Sequence, residues 1–295
     1  MVEPLTREHS GLPVVSPLTE QLTDWRNNTV KPVLCAALVN FILLLTVTMV
    51  MAAPTSCPEQ YFDRQAPDLI NQKLATKSRE ICYAEYGVLH SGVTRTPLYA
   101  AEHLTRAQLQ QAKEMVRNSK FFPDPHISPA DRAELHHYAR SGYDRGHMAP
   151  SADMPDEQSQ QQCFSLANIV PQDPKNNRGV WEGIESTVRK LTQERGELYV
   201  VTGPTFSGSN LQRIGGAVMV PTQLFKAVYD PKRNQAAAYL VDNVDNAVPR
   251  VISIAELTTV SGIDVFPAVS KEVKAVAMSL PEPKSHQQWH HKRGN

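Results

Sequence analysis

The chain has 295 residues, 41% of them hydrophobic and 20% charged, so it can bury a sizeable core, and disorder as its dominant state is excluded. Lys plus Arg number 30 and Asp plus Glu 30, for a formal net charge of zero. That excludes a histone-like binder held by global charge: any polyanion this protein handles must be gripped by a local patch.

Residues 1–31 set Arg7, Arg26 and Lys31 against Glu3, Glu8, Glu20 and Asp24, with no helical or strand period. Residues 33–53 then carry no charge, a length that suits either a secretory h-region or one membrane span. Ala52 and Ala53 ahead of Pro54 suit cleavage after Ala52, and an initiator at Val30 would leave a short basic n-region. A cleaved signal and an uncleaved anchor both put the following domain in an export compartment. The expectation is a secreted or periplasmic protein, attached to a membrane only if 33–53 is retained. The domain is expected over 54–280, and 281–295 as a basic, disordered tail in which His286, His290 and His291 are solvated.

Cys57 and Cys82 flank a helix-like stretch, residues 60–79, and an oxidising compartment would let them pair. Two unrelated thiols are the alternative. Cys35 lies in the apolar run, Cys163 is left over and expected buried, and no two cysteines have zinc-ligand spacing. Residues 82–89 and 96–102 read as strands joined by a turn at Gly92. Residues 104–116 read as a helix, 121–129 with three prolines as a loop, and 132–139 as a helical turn. A helix is expected from Lys175 to about Arg195, and a strand over 197–202 ending at Gly203-Pro204. Residues 218–229 and 235–241 pair as a hairpin across Asp230-Pro231-Lys232, and 252–257 leads into 263–267. These elements make an α+β chain.

Two windows carry chemistry. In SGYDRGHMAP (141–150), Asp144, Arg145 and His147 crowd around Gly146, whose freedom permits a tight bend. Arg offers a planar fork of donors to phosphate oxygens, and a neutral His can accept a proton near neutral pH. A surface turn with an ion pair is the competing reading of that window alone. In LANIVPQDPKNNRGVWEGIE (166–185), Asn177, Trp181 and Glu185 fall at i, i+4 and i+8 and are expected on one helix face. Asn and Glu are hard oxygen donors suited to Mg²⁺. The competing readings are an N-cap for Asn177, a pair with Arg189 for Glu185, and core packing for Trp181.

Together the windows resemble the DNA/RNA non-specific endonucleases of the ββα-metal (His-Me finger) superfamily, which include secreted bacterial sugar-non-specific nucleases and mitochondrial endonuclease G. The resemblance rests on Arg117 with Phe121-Phe122-Pro123-Asp124, SGYDRGHMAPSADM, FSLANIVPQ, Asn177-Arg178-Gly179 with Trp181 and Glu185, and residues 199–204 and 262–267. It spans roughly 89–280. It implies a ββα-metal fold with a mixed, mainly antiparallel central sheet, His147 on a β-hairpin and Asn177 on the helix crossing it.

It also implies roles. His147 would be the general base and Asn177 the one direct ligand of a hydrated Mg²⁺, with Mn²⁺ as substitute. Glu185 would hold a metal-bound water, Arg145 and Arg117 would neutralise the scissile phosphate, and Asn168 would support the site from beside it. Asp144 is assigned a structural role. DNA and RNA are the implied substrates, with a homodimer left open. Rival functions are a catalytically inactive nucleic-acid-binding relative and a metal phosphodiesterase acting on a small substrate.

Overall fold

Val200-Val201 and Ala237-Ala238 put apolar side chains on successive residues. Successive strand residues face opposite ways, so these strands must be covered on both sides. The computed structural model describes residues 55–117 and 120–283. Its strands of three or more residues are β1 (Ser78–Cys82), β2 (Gly87–Ser91), β3 (Thr96–Thr105), β4 (Asp144–His147), β5 (Ile169–Gln172), β6 (Glu197–Thr205), β7 (Gln223–Asp230), β8 (Gln235–Asp242) and β9 (Arg250–Ile252). Seven of them form one sheet in the order β9-β8-β7-β6-β3-β2-β1, with every pairing antiparallel. The expectation of a mainly antiparallel sheet in an α+β fold holds. β4 and β5 stand apart as a two-stranded antiparallel ribbon.

The α-helices of six or more residues are α1 (Arg106–Ala112), α2 (Glu157–Gln162), α3 (Glu182–Arg195) and α4 (Ile254–Ser261). One sheet face, with Val88, Ala100, Val200 and Leu224, packs against Trp181, Ile184, Val188 and Leu191 of the α3 region. The other, with Leu98, Val201, Phe225 and Ala238, packs against Ile254, Leu257, Val265 and Phe266. α3 is thereby held across the sheet, and its outer face is free to build a site.

Local chemistry moves several boundaries from their expected places. Residues 82–89 are two strands separated by a turn at 83–86, with Tyr83 N–H donating to the Tyr86 carbonyl. The helix expected from 104 starts at Arg106, because Thr105 and Gln108 form a reciprocal capping box, and it ends at Ala112. Residues 60–79 are not a helix but short 3₁₀ turns, since Asp63 and Arg64 take positive φ and Pro67 follows. The Cys57–Cys82 disulfide ties this segment to β1. Pro221 splits 218–229, leaving Val218–Met219 outside the main sheet. β6 runs on through Gly203-Pro204 to Thr205: β3 pairs with it only as far as Thr202, so Pro204 removes no bond from that ladder. A Cβ on Gly203 would lie 2.5 Å from the Leu98 carbonyl oxygen. The apolar run 33–53 with Cys35, and the tail beyond Pro283, lie outside the described residues. Among the described residues, no helix is long and apolar enough to cross a membrane.

Candidate active site

The helical segment that carries the second motif begins at Pro174, with Asp173 as its N-cap accepting from Lys175 N–H and Asn176 N–H. Asn177 is therefore inside the helix, and its side chain is not needed as a cap. From Asn177 to Trp181 the backbone makes a π turn before α3 continues. On an ideal α-helix, residues eight apart sit about 80° apart around the axis. A π turn absorbs one extra residue, so Glu185 follows Asn177 as the seventh residue of an α-helix would, about 20° away. Asn177 and Glu185 thus line one cleft, while Trp181 turns into the core at 1% exposure. The three residues do not share a face as the unbroken spacing implied.

His147 ends β4, whose ribbon partner β5 pairs Ile169 with His147 and Val170 with Gly146. Gly146 is not at a bend: it is extended strand, and it is glycine because Gln172 crosses it. A Cβ there would lie 2.0 Å from Gln172 Oε1 and 2.8 Å from Gln172 Cβ. Fully buried Asn168 holds the chain just beyond His147: its Nδ2 donates to the Ala149 and Cys163 carbonyls and its Oδ1 accepts from Ala149 N–H. Asn168 is not among the cleft-lining residues. Cys163 is buried and reduced, its thiol donating to the Gln160 carbonyl.

The cleft has a volume of about 770 Å³, and Arg117, Arg145, His147, Asn177 and Glu185 all line it. The His147 ring is 9% exposed and lies against Phe121 and Phe164, with centroids 5.3 and 5.0 Å away. Burial, with exposed Arg117 adding to it, pushes the imidazole pKa down to about 3. Arg145 stacks its guanidinium over Phe121 and Tyr138, and its Nε is buried without a partner. Burial pushes the Glu185 carboxyl up to about 7; Arg189 and Lys226 pull it down, while Asp153 and Glu182 push it further up.

Two contributors were undervalued from sequence. Asp144 accepts from Asn177 Nδ2 at 3.0 Å and from both Nε and a terminal nitrogen of Arg178 at 2.8 and 2.6 Å. It fixes the Asn177 amide so that the oxygen, not the nitrogen, is left for a ligand. Arg189, read from sequence only as a helical partner of Glu185, lines the cleft and bonds Asp153 at 3.1 Å. Its signal was the i, i+4 spacing from Glu185; what spacing could not show is that Asp153 would meet it from the loop between β4 and β5.

Among the described residues, no group of three or more His, Cys, Asp or Glu is placed to hold a metal. A hydrated Mg²⁺ needs fewer protein ligands than that. The donor set fits such an ion: an amide oxygen and a carboxylate, both hard, lie on one face of the helix in one cleft. Burial is the main cause of the raised Glu185 pKa, and a cation bound beside the carboxylate would offset it.

Residues 65–272 match the family described as DNA/RNA non-specific endonuclease. The chain is 34% identical over 211 residues to the mitochondrial nuclease EXOG of Danio rerio, a match covering 64% of this chain and 61% of that protein. It is 34% identical over 169 residues to mitochondrial Nuclease 1 of Schizosaccharomyces pombe, covering 51% and 52% of the two chains. It thus spans between half and two thirds of the length of these curated relatives. A crystal structure of the EndoG/EndoGI complex, concerned with EndoG inhibition, superposes with a TM-score of 0.61 at 25% identity, covering 72% of this chain and 96% of that one. These relatives overturn the expected secreted or periplasmic location, because EXOG from fish, human and frog and the yeast nuclease are all named as mitochondrial. With its sheet, its ribbon-and-helix cleft and a family match over most of its length, the chain belongs to the DNA/RNA non-specific endonuclease family.

Proposed function

We propose that this protein is a Mg²⁺-dependent nuclease that hydrolyses phosphodiester bonds of DNA and RNA with little sequence preference, leaving 5′-phosphates. The observation that carries this reading is the convergence of His147, Arg145, Arg117, Asn177 and Glu185 on one cleft from three separate chain segments. Its relatives' names point to a mitochondrial location.

His147 accepts the proton of the attacking water. In the free protein its imidazole is neutral but weakly basic, held down by burial and then by Arg117. A phosphodiester seated against Arg117 and Arg145 neutralises the second of these causes and brings a negative charge that favours the imidazolium. The base therefore strengthens when substrate arrives. Arg145, its guanidinium braced by two aromatic rings, presents its remaining donors to the non-bridging oxygens. Asn177, with its amide nitrogen tied to Asp144, and Glu185 are the residues that would hold a hydrated metal ion. The chemistry such an ion would supply is stabilisation of charge on the phosphate and on the leaving 3′ oxygen. Asn168 acts on the backbone behind His147. Recognition through phosphates reads no bases, which accounts for weak sequence preference, and it predicts strong inhibition by salt.

The test is incubation of the purified chain with supercoiled plasmid and with RNA, in Mg²⁺ or Mn²⁺ and in EDTA. Metal-dependent loss of both substrates supports the reading. A folded protein that cleaves neither in any divalent metal overturns it.

A further inference from the structure

Among the described residues, His147 Nε2 is buried and has no hydrogen-bond partner. A catalytic base is ordinarily oriented by a third group that bonds its far nitrogen. No described residue plays that part at this nitrogen, and the ring packs on two aromatic side chains. Phe121 and Phe164 pack on each other at 4.9 Å, and both pack on His147, Phe164 edge-on. The same two rings carry the arginines: Arg145 lies 5.2 Å from the Phe121 centroid and Arg117 5.0 Å from that of Phe164. One ring pair therefore touches three of the groups that line the cleft.

The rings come from distant parts of the chain and are tied together behind the site. Phe122 N–H donates to the Phe164 carbonyl at 3.2 Å, and Leu166 N–H donates to the Phe122 carbonyl at 2.9 Å. Beneath this bridge lies Asp124, 0% exposed. Its carboxylate accepts from the Tyr83 hydroxyl, from Ser165 Oγ, and from both the N–H and Nδ1 of His126. Ser165 neighbours Phe164 and Asp124 closes the Phe121 segment, so this single carboxylate locks the spacing of the two rings. An acceptor so fully used is costly to remove, because the buried Tyr83 and Ser165 hydroxyls would both lose it.

We propose that the Phe121–Phe164 pair, anchored by Asp124, is the positioning element of the site: it orients the His147 ring and aims Arg145 in place of a hydrogen-bonded orienter. The inference rests on the reading of His147 as the general base. Phe121 is half-buried, so Phe121→Leu removes the aromatic face while keeping apolar volume, and Phe121→Tyr keeps the aromatic face.

Phe121→Leu is expected to lower kcat on plasmid roughly tenfold to a hundredfold, with KM changed less than about threefold. The unfolding midpoint should stay close to wild type, and Phe121→Tyr should recover most of the activity. In protein labelled with ¹³C at histidine Cε1, the His147 resonance of Phe121→Leu should titrate closer to an ordinary imidazole than that of wild type. Asp124→Asn should reproduce the kcat loss where it folds; where it does not, the Phe121 pair decides alone. A Phe121→Leu protein with wild-type kcat and an unmoved His147 resonance overturns the proposal, as does a folded Phe121→Tyr that fails to recover. His147→Ala run alongside separates the two levels: if it is active, the general-base reading itself falls. If it is inactive while Phe121→Leu is normal, only the positioning role falls.

Discussion

Gly146→Ala is the smallest change that tests how this site is assembled. The added methyl would lie 2.0 Å from Gln172 Oε1, 2.8 Å from Gln172 Cβ and 3.0 Å from Cδ. Gln172 cannot simply swing aside. It is fully buried, and its Nε2 donates to Asn176 Oδ1 at 2.9 Å; Asn176 in turn donates to the carbonyls of Asp242 and Val244. Relief therefore means either an overpacked ribbon or a buried amide without its partner. Overpacking costs about 1 to 3 kcal/mol, and orphaning a buried polar group costs a similar amount. Whichever occurs, a cost of about 1 to 3 kcal/mol corresponds to a fall in unfolding temperature of roughly 2 to 12 °C for a domain of this size. Thermal unfolding of wild type, Gly146→Ala, Gln172→Ala and the double variant, followed by circular dichroism, checks this. The double variant should be less destabilised than the sum of the singles by at least about 1 kcal/mol, because the methyl then has space. A Gly146→Ala protein as stable as wild type, or strictly additive singles, would refute the close-approach explanation for this glycine.

Two further outcomes follow from charge. The folded protein keeps the His147 imidazole neutral down to about pH 3, whereas the unfolded chain protonates it near the ordinary value of 6.5. Above 6.5 both states are neutral and the group contributes nothing. Below it the unfolded state gains a proton that the fold refuses, so stability drops as pH falls towards 3. Urea titrations should show wild type losing about 2 kcal/mol more than His147→Gln between pH 6.5 and 5; equal losses would argue that the ring is not held neutral. Asp144→Ala frees the Asn177 amide to rotate, and isothermal titration should show Mg²⁺ affinity weakened roughly tenfold to a hundredfold, as for other groups that orient a metal ligand. Unchanged affinity would mean that Asp144 does not orient Asn177.

Much of this arrangement was legible from local signals. The β7–β8 hairpin followed from two apolar runs on either side of Asp230-Pro231-Lys232. The start of the helix near Lys175 followed from the prolines before it, although the cap itself is Asp173. Features that depend on residues far apart in sequence were not legible. The π turn at Asn177–Trp181, which aligns Asn177 with Glu185, is invisible to a reading that assumes 3.6 residues per turn. The Gly146–Gln172 approach and the Phe121–Phe164 pair exist only once the ribbon and its long connection have folded. The compartment was misread for a related reason: an uncharged run at 33–53 reports affinity for a lipid phase and not which membrane it meets.

The central claim is that His147 is the base of a metal-dependent nuclease. It is tested most directly by comparing plasmid nicking in Mg²⁺ by wild type and by His147→Ala, after matching their circular dichroism spectra and unfolding midpoints. The expected result is a loss of about 10² to 10⁴-fold in kcat from a folded variant. A folded His147→Ala protein that nicks plasmid at the wild-type rate would contradict the account.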